Sequence, residues 1–344
     1  MLFCTAGRLL PESSNQAQHM NDPTSAENKR PAPERTRPAD RQPEPGIPQA
    51  TARSPRFSLD RDLILSQGTS LRLAECLTKL RHRKTIYIDW DFGSVDPMGL
   101  STILNFYGPP GTGKTMAAEA LAGTLEMPFM ALGIAELESK FMGETAKNIQ
   151  AAFEAAREAG ALLFFDEADT LLGKRLSAVT QGVDNEVNAM RSTLLIELER
   201  FDGVAVFATN FAKNYDEAFR SRISYHVKFD LPDLAGRERL WDRMLVSGIP
   251  LATARNTLIE QAAAATDGFS GREIRTCMRL ALPKALHEAE GLSCTAQLAA
   301  KHIEAAIAEV RSAHADISNA QPASASLATD ITTSRRLLGV DRTH

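Results

Sequence analysis

The sequence has few cysteines, little net charge and no long apolar run, and each shortage excludes a class of protein. Its four cysteines are scattered, without a Cys-x-x-Cys pair or a zinc-like histidine spacing, which favours free thiols in a reducing compartment. A net charge of -4 argues against a nucleic-acid-coating surface. No apolar run approaches the roughly 20 residues of a membrane span, and the first residues lack the pattern of a signal peptide. We therefore expect a cytoplasmic protein without a membrane span.

Proline is unevenly distributed along the chain. Nine of the 17 prolines precede Phe57, in a segment with almost no large apolar side chains. Such a segment buries too little apolar surface to offset its chain entropy, so residues 1–56 are predicted to be a disordered tail. A partner-docking arm is the alternative. Apolar residues at helical spacing predict a short helical segment over residues 57–88, and polar composition predicts a second disordered tail over residues 313–344.

The middle of the chain alternates short apolar runs with longer amphipathic stretches. The runs between residues 89 and 232 are "ILNFYG", "PFMALG", "ALLFFDE", "VAVFATN" and "YHVKFDLP". This rhythm predicts an α/β domain, a parallel sheet with crossover helices. From residue 233 to 312, Leu, Ile and Ala recur at spacings of three and four, which predicts a small all-helical domain.

The stretch "GPPGTGKT" lies between a strand-like run and a good helix former. In that context the pattern G-x-x-x-x-G-K-[ST] predicts a loop whose backbone N–H groups face phosphates. Lys114 would reach the β- and γ-phosphates, and Thr115 would ligate Mg²⁺. A chance glycine turn is the weaker alternative. The predicted phosphate-binding residues are Gly108, Pro109, Pro110, Gly111, Thr112, Gly113, Lys114, Thr115 and Met116.

The stretch "ALLFFDEAD" ends an apolar strand in two adjacent carboxylates. Buried carboxylates at such a place are costly unless they meet a cation or a reacting water. Asp166 is predicted to hold the Mg²⁺ water shell and bind the nucleotide, and Glu167 to act as general base on the attacking water. Asn210 ends the later strand "GVAVFATN" and could orient that water, although a capping role is equally open.

With these motifs the chain resembles the AAA+ ATPases, in particular the AAA branch that includes katanin, spastin and the proteasomal ATPases. The resemblance covers roughly residues 89–311. It implies one P-loop NTPase domain over residues 89–232, a helical lid over residues 233–312, ATP and Mg²⁺ as cofactors, and a homo-oligomeric ring, expected to be a hexamer. In that family "GPPGTGKT" is Walker A and "LLFFDE" is Walker B.

The resemblance also assigns residues outside the two Walker motifs. Asp91, Phe92 and Gly93 correspond to the segment that lines the adenine pocket. Gly271 corresponds to the start of the lid helix over the nucleotide. After this glycine the family usually has a small residue and then Asp, whereas this chain has Arg272 and then Glu. Two alternatives therefore stay open for Arg272, a contact with phosphate and a solvated position on the helix. We prefer the solvated position.

Three polar residues complete the catalytic set that the resemblance implies. Asn210 matches the sensor-1 asparagine. Arg220 and Arg222, in "YDEAFRSRISYHV", match arginines that reach into the nucleotide site of a neighbouring subunit. Of the two, Arg222 is the preferred candidate.

The stretch "ESKFMGETAKN" places Phe141 and Met142 in a polar, glycine-containing turn. From the residues alone, an apolar side chain folding back onto the core is the simpler interpretation. The resemblance instead implies the first pore loop, in which such a pair grips an extended polypeptide in the channel of the ring.

The predicted function is therefore ATP hydrolysis that drives remodelling or unfolding of a protein client through a central pore. A nucleotide-dependent assembly switch or partner activator, without translocation, is the first alternative. A DNA-processing motor is the second, and the near-neutral charge argues against it because nucleic-acid tracks are rich in Lys and Arg. No nucleic-acid partner is expected.

Overall fold

The computed structural model describes residues 51–96, 99, 101–133, 144–172, 182–210, 215–292 and 295–319. These residues form a parallel sheet flanked by helices, followed by a group of helices with its own apolar core. The α/β class with a helical domain after the sheet, predicted from the alternation of apolar runs, is confirmed.

The helices before and around the sheet are α1 (Leu59–Asp62), α2 (Gln67–Arg81), α3 (Lys114–Thr124), α4 (Glu144–Ala159), α5 (Asp169–Leu172), α6 (Gly182–Arg200) and α7 (Glu217–Arg220). The strands are β1 (Thr102–Tyr107), β2 (Phe129–Gly133), β3 (Leu162–Asp166), β4 (Val204–Thr209) and β5 (Tyr225–Lys228). The helices after the sheet are α8 (Leu234–Met244), α9 (Arg255–Ala265), α10 (Gly271–Leu292) and α11 (Ala300–Asn319). A π-helical segment, Thr85–Asp89, and a 3-10 turn, Phe92–Ser94, precede β1.

The strands are ordered β2-β3-β4-β1-β5, and each neighbouring pair is parallel. Parallel neighbours require crossover connections, which the amphipathic stretches between the strands provide. The register pairs Tyr107 with Thr209 at the ends of β1 and β4. The carboxyl ends of β1, β3 and β4 therefore meet at one edge of the sheet, where ligands bind in open α/β folds.

Apolar side chains cover both faces of the sheet. On one face, Phe165 and Phe207 stack at a centroid distance of 4.8 Å in a core that includes residues of α4 and α6. On the other face, Phe106 and Phe164 belong to a core that includes residues of α2 and α3. Burial on both faces explains why the central strands are nearly continuous apolar runs.

The segment before α1 packs against the sheet domain. Backbone N–H of Arg53 donates to the carbonyl of Phe129 at 3.0 Å, and that of Phe129 donates to the carbonyl of Arg53 at 2.8 Å. The guanidinium groups of Arg53 and Arg56 contact the buried carboxylate of Glu119 on α3 at 3.0 and 2.8 Å. The prediction that a disordered tail extends to residue 56 is therefore wrong for residues 51–56, because backbone pairing and a buried ion pair compensate for the lack of apolar side chains.

The helices α8 to α11, here named the lid after the prediction, pack around Trp241, which is 0% exposed. Helix α11 continues to Asn319, so the predicted lid boundary at residue 312 is wrong, because the helical pattern persists through polar residues. The rest of the predicted C-terminal tail lies outside the described residues. In the described part of the chain, no helix is both long enough and apolar enough to cross a membrane.

Candidate nucleotide site

The loop between β1 and α3 is fixed by close backbone contacts. Gly108 has a φ of +147°, and a β-carbon there would come within 2.0 Å of the Phe229 carbonyl oxygen. Gly111 has a φ of +78°, and a β-carbon there would lie 2.7 Å from Oγ of Ser270. Both positions therefore require glycine. The loop is held between the residue after β5 and the start of the lid helix α10.

Lys114, the first residue of α3, directs its ammonium group back over this loop. Its Nζ donates to the carbonyls of Gly108 and Pro109 at 2.7 and 3.0 Å and to Oδ1 of Asn210 at 2.9 Å. Burial lowers the pKa of Lys114, the carboxylates of Asp166 and Asp169 oppose this shift, and the charge of Arg272 adds to it. The structure thus brings the predicted Walker A lysine and the predicted sensor asparagine into direct contact.

Asp166 and Thr115 lie together at the end of β3. The Thr115 hydroxyl donates to Oδ2 of Asp166 at 3.2 Å, and the backbone N–H of Glu167 donates to Oδ1 at 3.0 Å. Glu167 has a φ of +53°, in the left-handed region that non-glycine residues rarely adopt. Strained backbone of this kind is typical of functional sites, and here it occurs at the predicted general base.

Asp169 is a functional candidate that the sequence analysis missed. Its carboxylate accepts hydrogen bonds from the Thr209 hydroxyl and, at 3.1 Å, from the backbone N–H of Asn210. It therefore orients the end of β4, where Asn210 lies. The available signal in the sequence was the third carboxylate of "DEAD", which none of the motifs uses.

The start of α10 lies against the phosphate loop. The backbone N–H of Arg272 donates to the Gly111 carbonyl at 3.3 Å, and a β-carbon on Gly271 would lie 3.7 Å from the same oxygen. The charge of Arg272 is close enough to lower the pKa of Lys114, after the larger effect of burial. This location favours the phosphate-contacting alternative for Arg272 over the solvated one.

The other predicted nucleotide contacts differ in their surroundings. The Thr112 hydroxyl donates to the Pro109 carbonyl at 2.9 Å and so closes the loop on itself. The predicted adenine-lining segment forms its own turn, with Asp91 at a φ of 57° and the Phe92 ring 5.8 Å from that of Tyr87. Its role toward adenine stays a prediction, as does that of Met116.

The two predicted trans-acting arginines differ in exposure. Arg222 donates to the Ala218 carbonyl at 2.7 Å and pairs with Glu199, and its side chain is 29% exposed. The side chain of Arg220 is 65% exposed and lies 3.7 Å from Glu217. Arg220 is therefore the more accessible guanidinium group, whereas Arg222 is held within its own chain. Phe141 and Met142 lie outside the described residues.

The donor set at the loop fits a magnesium nucleotide. Backbone N–H groups and Lys114 suit phosphate oxygens, and the Thr115 hydroxyl and Asp166 carboxylate are hard oxygen ligands of the kind Mg²⁺ takes. In the part of the chain that the structure describes, no three His, Cys, Asp or Glu side chains converge to hold a metal. Two protein ligands suffice for Mg²⁺, which usually keeps several waters and binds substrate phosphates.

Comparisons with known proteins identify a family that part of this chain matches. Residues 104–231 match the family described as "ATPase family associated with various cellular activities (AAA)". The proteasome-activating nucleotidase of Methanopyrus kandleri is 35% identical over 176 residues, which are 49% of this chain and 39% of that protein. The katanin p60 ATPase-containing subunit A1 of Strongylocentrotus purpuratus is 35% identical over 187 residues, which are 50% of this chain and 34% of that protein. The chain thus matches well under half the length of these relatives.

A solved structure supports the same fold. The FIGL-1 AAA domain in complex with ADP superposes with a TM-score of 0.57 at 20% identity, covering 85% of this chain and 94% of that chain. At this identity the likeness concerns the fold. The AAA+ architecture predicted from the motifs is confirmed.

Proposed function

We propose that this chain, whose residues 104–231 match the AAA family of ATPases, hydrolyses ATP within a homo-oligomeric ring to remodel a protein client. The observation that carries the hydrolytic part is the convergence of Lys114, Asn210 and the Thr115–Asp166 pair at one edge of the sheet. Asp166 and Asn210 come from the carboxyl ends of β3 and β4, and Lys114 and Thr115 come from the start of α3.

Each of these residues has a separate role in the transfer of the phosphoryl group to water. Lys114 and the loop N–H groups bind the phosphates, and Arg272 adds positive charge from the lid. Thr115 and Asp166 would hold Mg²⁺, which neutralises phosphate charge when bound. Glu167 takes a proton from the water as its oxygen attacks the terminal phosphorus and the bond to the ADP oxygen breaks.

We assign the arginines of the segment after β4 to the neighbouring subunit's site. Arg220 extends from α7 with a largely exposed side chain. Arg222 would have to leave Glu199 to act in trans, so its release would accompany assembly. We propose that six copies form the ring, in which Phe141 and Met142 grip an extended polypeptide, on the strength of the family resemblance.

We place the protein in the cytoplasm. Its described cysteines, Cys76 and Cys277, are buried free thiols. Burial raises the pKa of Cys277 to about 11, so this thiol is a packing group.

The test of hydrolysis compares Glu167→Gln with Glu158→Gln, an exposed glutamate at the end of α4. Glu167→Gln should bind fluorescent ATP like the parent but release no phosphate, because the amide cannot accept a proton. ATP-dependent assemblies of this variant should persist in light scattering. Glu158→Gln should match the parent in every assay. Parent-like phosphate release by Glu167→Gln would refute the assigned base, and a parent that hydrolyses no ATP would refute the proposed function.

The client class is tested by the stimulation of phosphate release. The probes are a permanently unfolded protein, a folded tagged protein and duplex DNA. Stimulation by the unfolded protein, with loss of remodelling in Phe141→Ala, supports the pore mechanism. Stimulation by DNA alone would instead favour the DNA-processing motor. If none of the three probes stimulates phosphate release, the assembly switch is favoured.

A further inference from the structure

A polar residue lies in the middle of the interior strand β1. Asn105 is 0% exposed, and its neighbours along the strand, Leu104 and Phe106, belong to the apolar core on the opposite face. Its Oδ1 has no hydrogen-bond partner among the described residues. An unpaired buried amide oxygen destabilises a fold, and an apolar residue of similar size would avoid that cost. Packing alone therefore does not explain why a polar side chain occupies this buried position.

The amide nitrogen of Asn105 begins a line of hydrogen bonds that leads to the nucleotide site. It lies 3.0 Å from the Tyr215 hydroxyl and 3.3 Å from Nδ1 of His226. The Tyr215 hydroxyl is hydrogen-bonded in turn to the side chain of Thr209. The Thr209 hydroxyl donates to Oδ1 of Asp169.

The inner end of this line contacts the predicted catalytic residues. Asp169 accepts the backbone N–H of Asn210 at 3.1 Å, and Asn210 accepts the ammonium group of Lys114 at 2.9 Å. Four side chains thus connect the Asn210 backbone to the edge strand β5.

At the outer end of this line, Asn105 donates both of its amide hydrogens. Asn105 has two amide hydrogens, one for Tyr215 and one for Nδ1 of His226, which requires a neutral imidazole. Burial, followed by the charge of Arg220, lowers the pKa of His226 and favours that neutral form. The Tyr215 oxygen accepts from Asn105 and is also hydrogen-bonded to the side chain of Thr209, whose hydroxyl donates to Asp169.

We propose that Tyr215 is a positioning residue for ATP hydrolysis, one that fixes Asp169 and hence Asn210, and that Asn105 is retained in the core to orient the Tyr215 hydroxyl. The proposal rests on the proposed function. Tyr215 directly precedes Asp216, which caps α7, the helix that ends in Arg220. Tyr215 therefore lies between the line that leads to Asn210 and the helix that would serve the neighbouring subunit.

The test compares Tyr215→Phe with Tyr225→Phe, which removes a tyrosine hydroxyl from β5 outside this line. Tyr225 packs against the core on the other face of the sheet. In Tyr215→Phe, kcat should fall about three- to tenfold, the equivalent of one neutral hydrogen bond, while the KM for ATP and the melting temperature stay near those of the parent. Tyr225→Phe should keep the parental kcat.

A second variant separates positioning from stability. Asn105→Leu removes the unpaired oxygen together with the amide hydrogen bonds to Tyr215 and His226. These effects oppose each other, so the melting temperature should stay near that of the parent while kcat falls as in Tyr215→Phe. A purely structural role would change stability and leave kcat intact. Parental kcat in both variants, beside an active parent, would overturn this inference alone. An inactive parent would instead overturn the proposed function on which it rests.

Discussion

The lid and the sheet domain differ in how their buried polar groups are hydrogen-bonded. In the lid, the Trp241 indole donates to Thr266 at 3.0 Å, and the buried Arg237 guanidinium donates to the Ala263 carbonyl at 2.9 Å. In the sheet domain, by contrast, the described residues include five buried polar atoms without a hydrogen-bond partner. These atoms belong to Ser101, Thr102, Asn105, Asn188 and Arg222.

Backbone strain follows the same division. The non-glycine residues with positive φ in the described chain are Asp91, Glu126 and Glu167, all before the lid. Unsatisfied groups and strain persist where function requires a particular arrangement and the surrounding structure can compensate. We conclude that the buried polar groups of the lid stabilise its fold, whereas the sheet domain contains destabilising features that its functional site requires.

Truncation of the lid core should have the largest effect on stability. Trp241→Ala should cost about 3–5 kcal/mol, because it opens a cavity in the centre of the lid and leaves Thr266 without its donor. Chemical denaturation followed by circular dichroism measures this loss. The matched control is Trp90→Ala, whose side chain is 74% exposed and whose removal should change stability by less than about 0.5 kcal/mol. Equal denaturation midpoints for the two variants would contradict the described lid core.

Loss of the buried carboxylate beneath the N-terminal segment should have an intermediate effect. Glu119→Gln keeps the shape but loses the charge that Arg53 and Arg56 contact, and should cost about 1–3 kcal/mol. The hydrogen bond from Arg56 is the largest cause of the lowered pKa of Glu119. Its stabilisation is therefore present above the ordinary glutamate pKa and is lost as the pH falls through the folded-state value.

Thermal melts of Glu119→Gln at neutral and acidic pH test this sign. The variant should be less stable than the parent at neutral pH, and the difference should shrink in acid. Glu75→Gln is the control, since Glu75 forms an exposed pair with Arg72 that should contribute less than about 1 kcal/mol. A difference that grows in acid would be inconsistent with the buried ion pair.

The smallest effect is expected at the junction of the two regions. Ser270 and Glu273 form a capping box at the start of α10, in which each side chain accepts the other residue's backbone N–H. Ser270→Ala should cost about 1 kcal/mol, whereas Ser270→Asp, which keeps a cap acceptor, should cost less. Denaturant midpoints of the two variants measure the difference, and an alanine variant as stable as the parent would show that the cap contributes nothing.

The sequence predicted the local parts of the site and missed the distant ones. The phosphate loop, the carboxylates after β3 and Asn210 were readable because each motif joins a strand to the segment that follows it. The contact between Thr115 and Asp166, 51 residues apart, was implied by the motifs. The link between Asn105 and Tyr215 spans 110 residues and depends on the strand order, which apolar periodicity does not encode.

The N-terminal segment shows a second limit of sequence-based prediction. Its proline content and few apolar residues are typical of a disordered tail. Residues 51–56 are nevertheless ordered by a backbone bridge to Phe129 and by ion pairs with Glu119, whose burial becomes evident only when α3 is packed. The composition of a segment indicates how much apolar surface its own side chains can bury. It contains no information about residues elsewhere in the chain that could pair with the segment.

The docking of α10 on the phosphate loop makes that helix a lever. Its N-terminal end is fixed to the loop by the hydrogen bond from Arg272 to Gly111, and its 22 residues extend to Leu292. At 1.5 Å per residue, the helix is about 33 Å long. A displacement of the loop that turned the docked end by about 10° would move the far end by about 6 Å, if the helix turned as a rigid rod. Such a movement would exceed the 5.4 Å pitch of a helix turn.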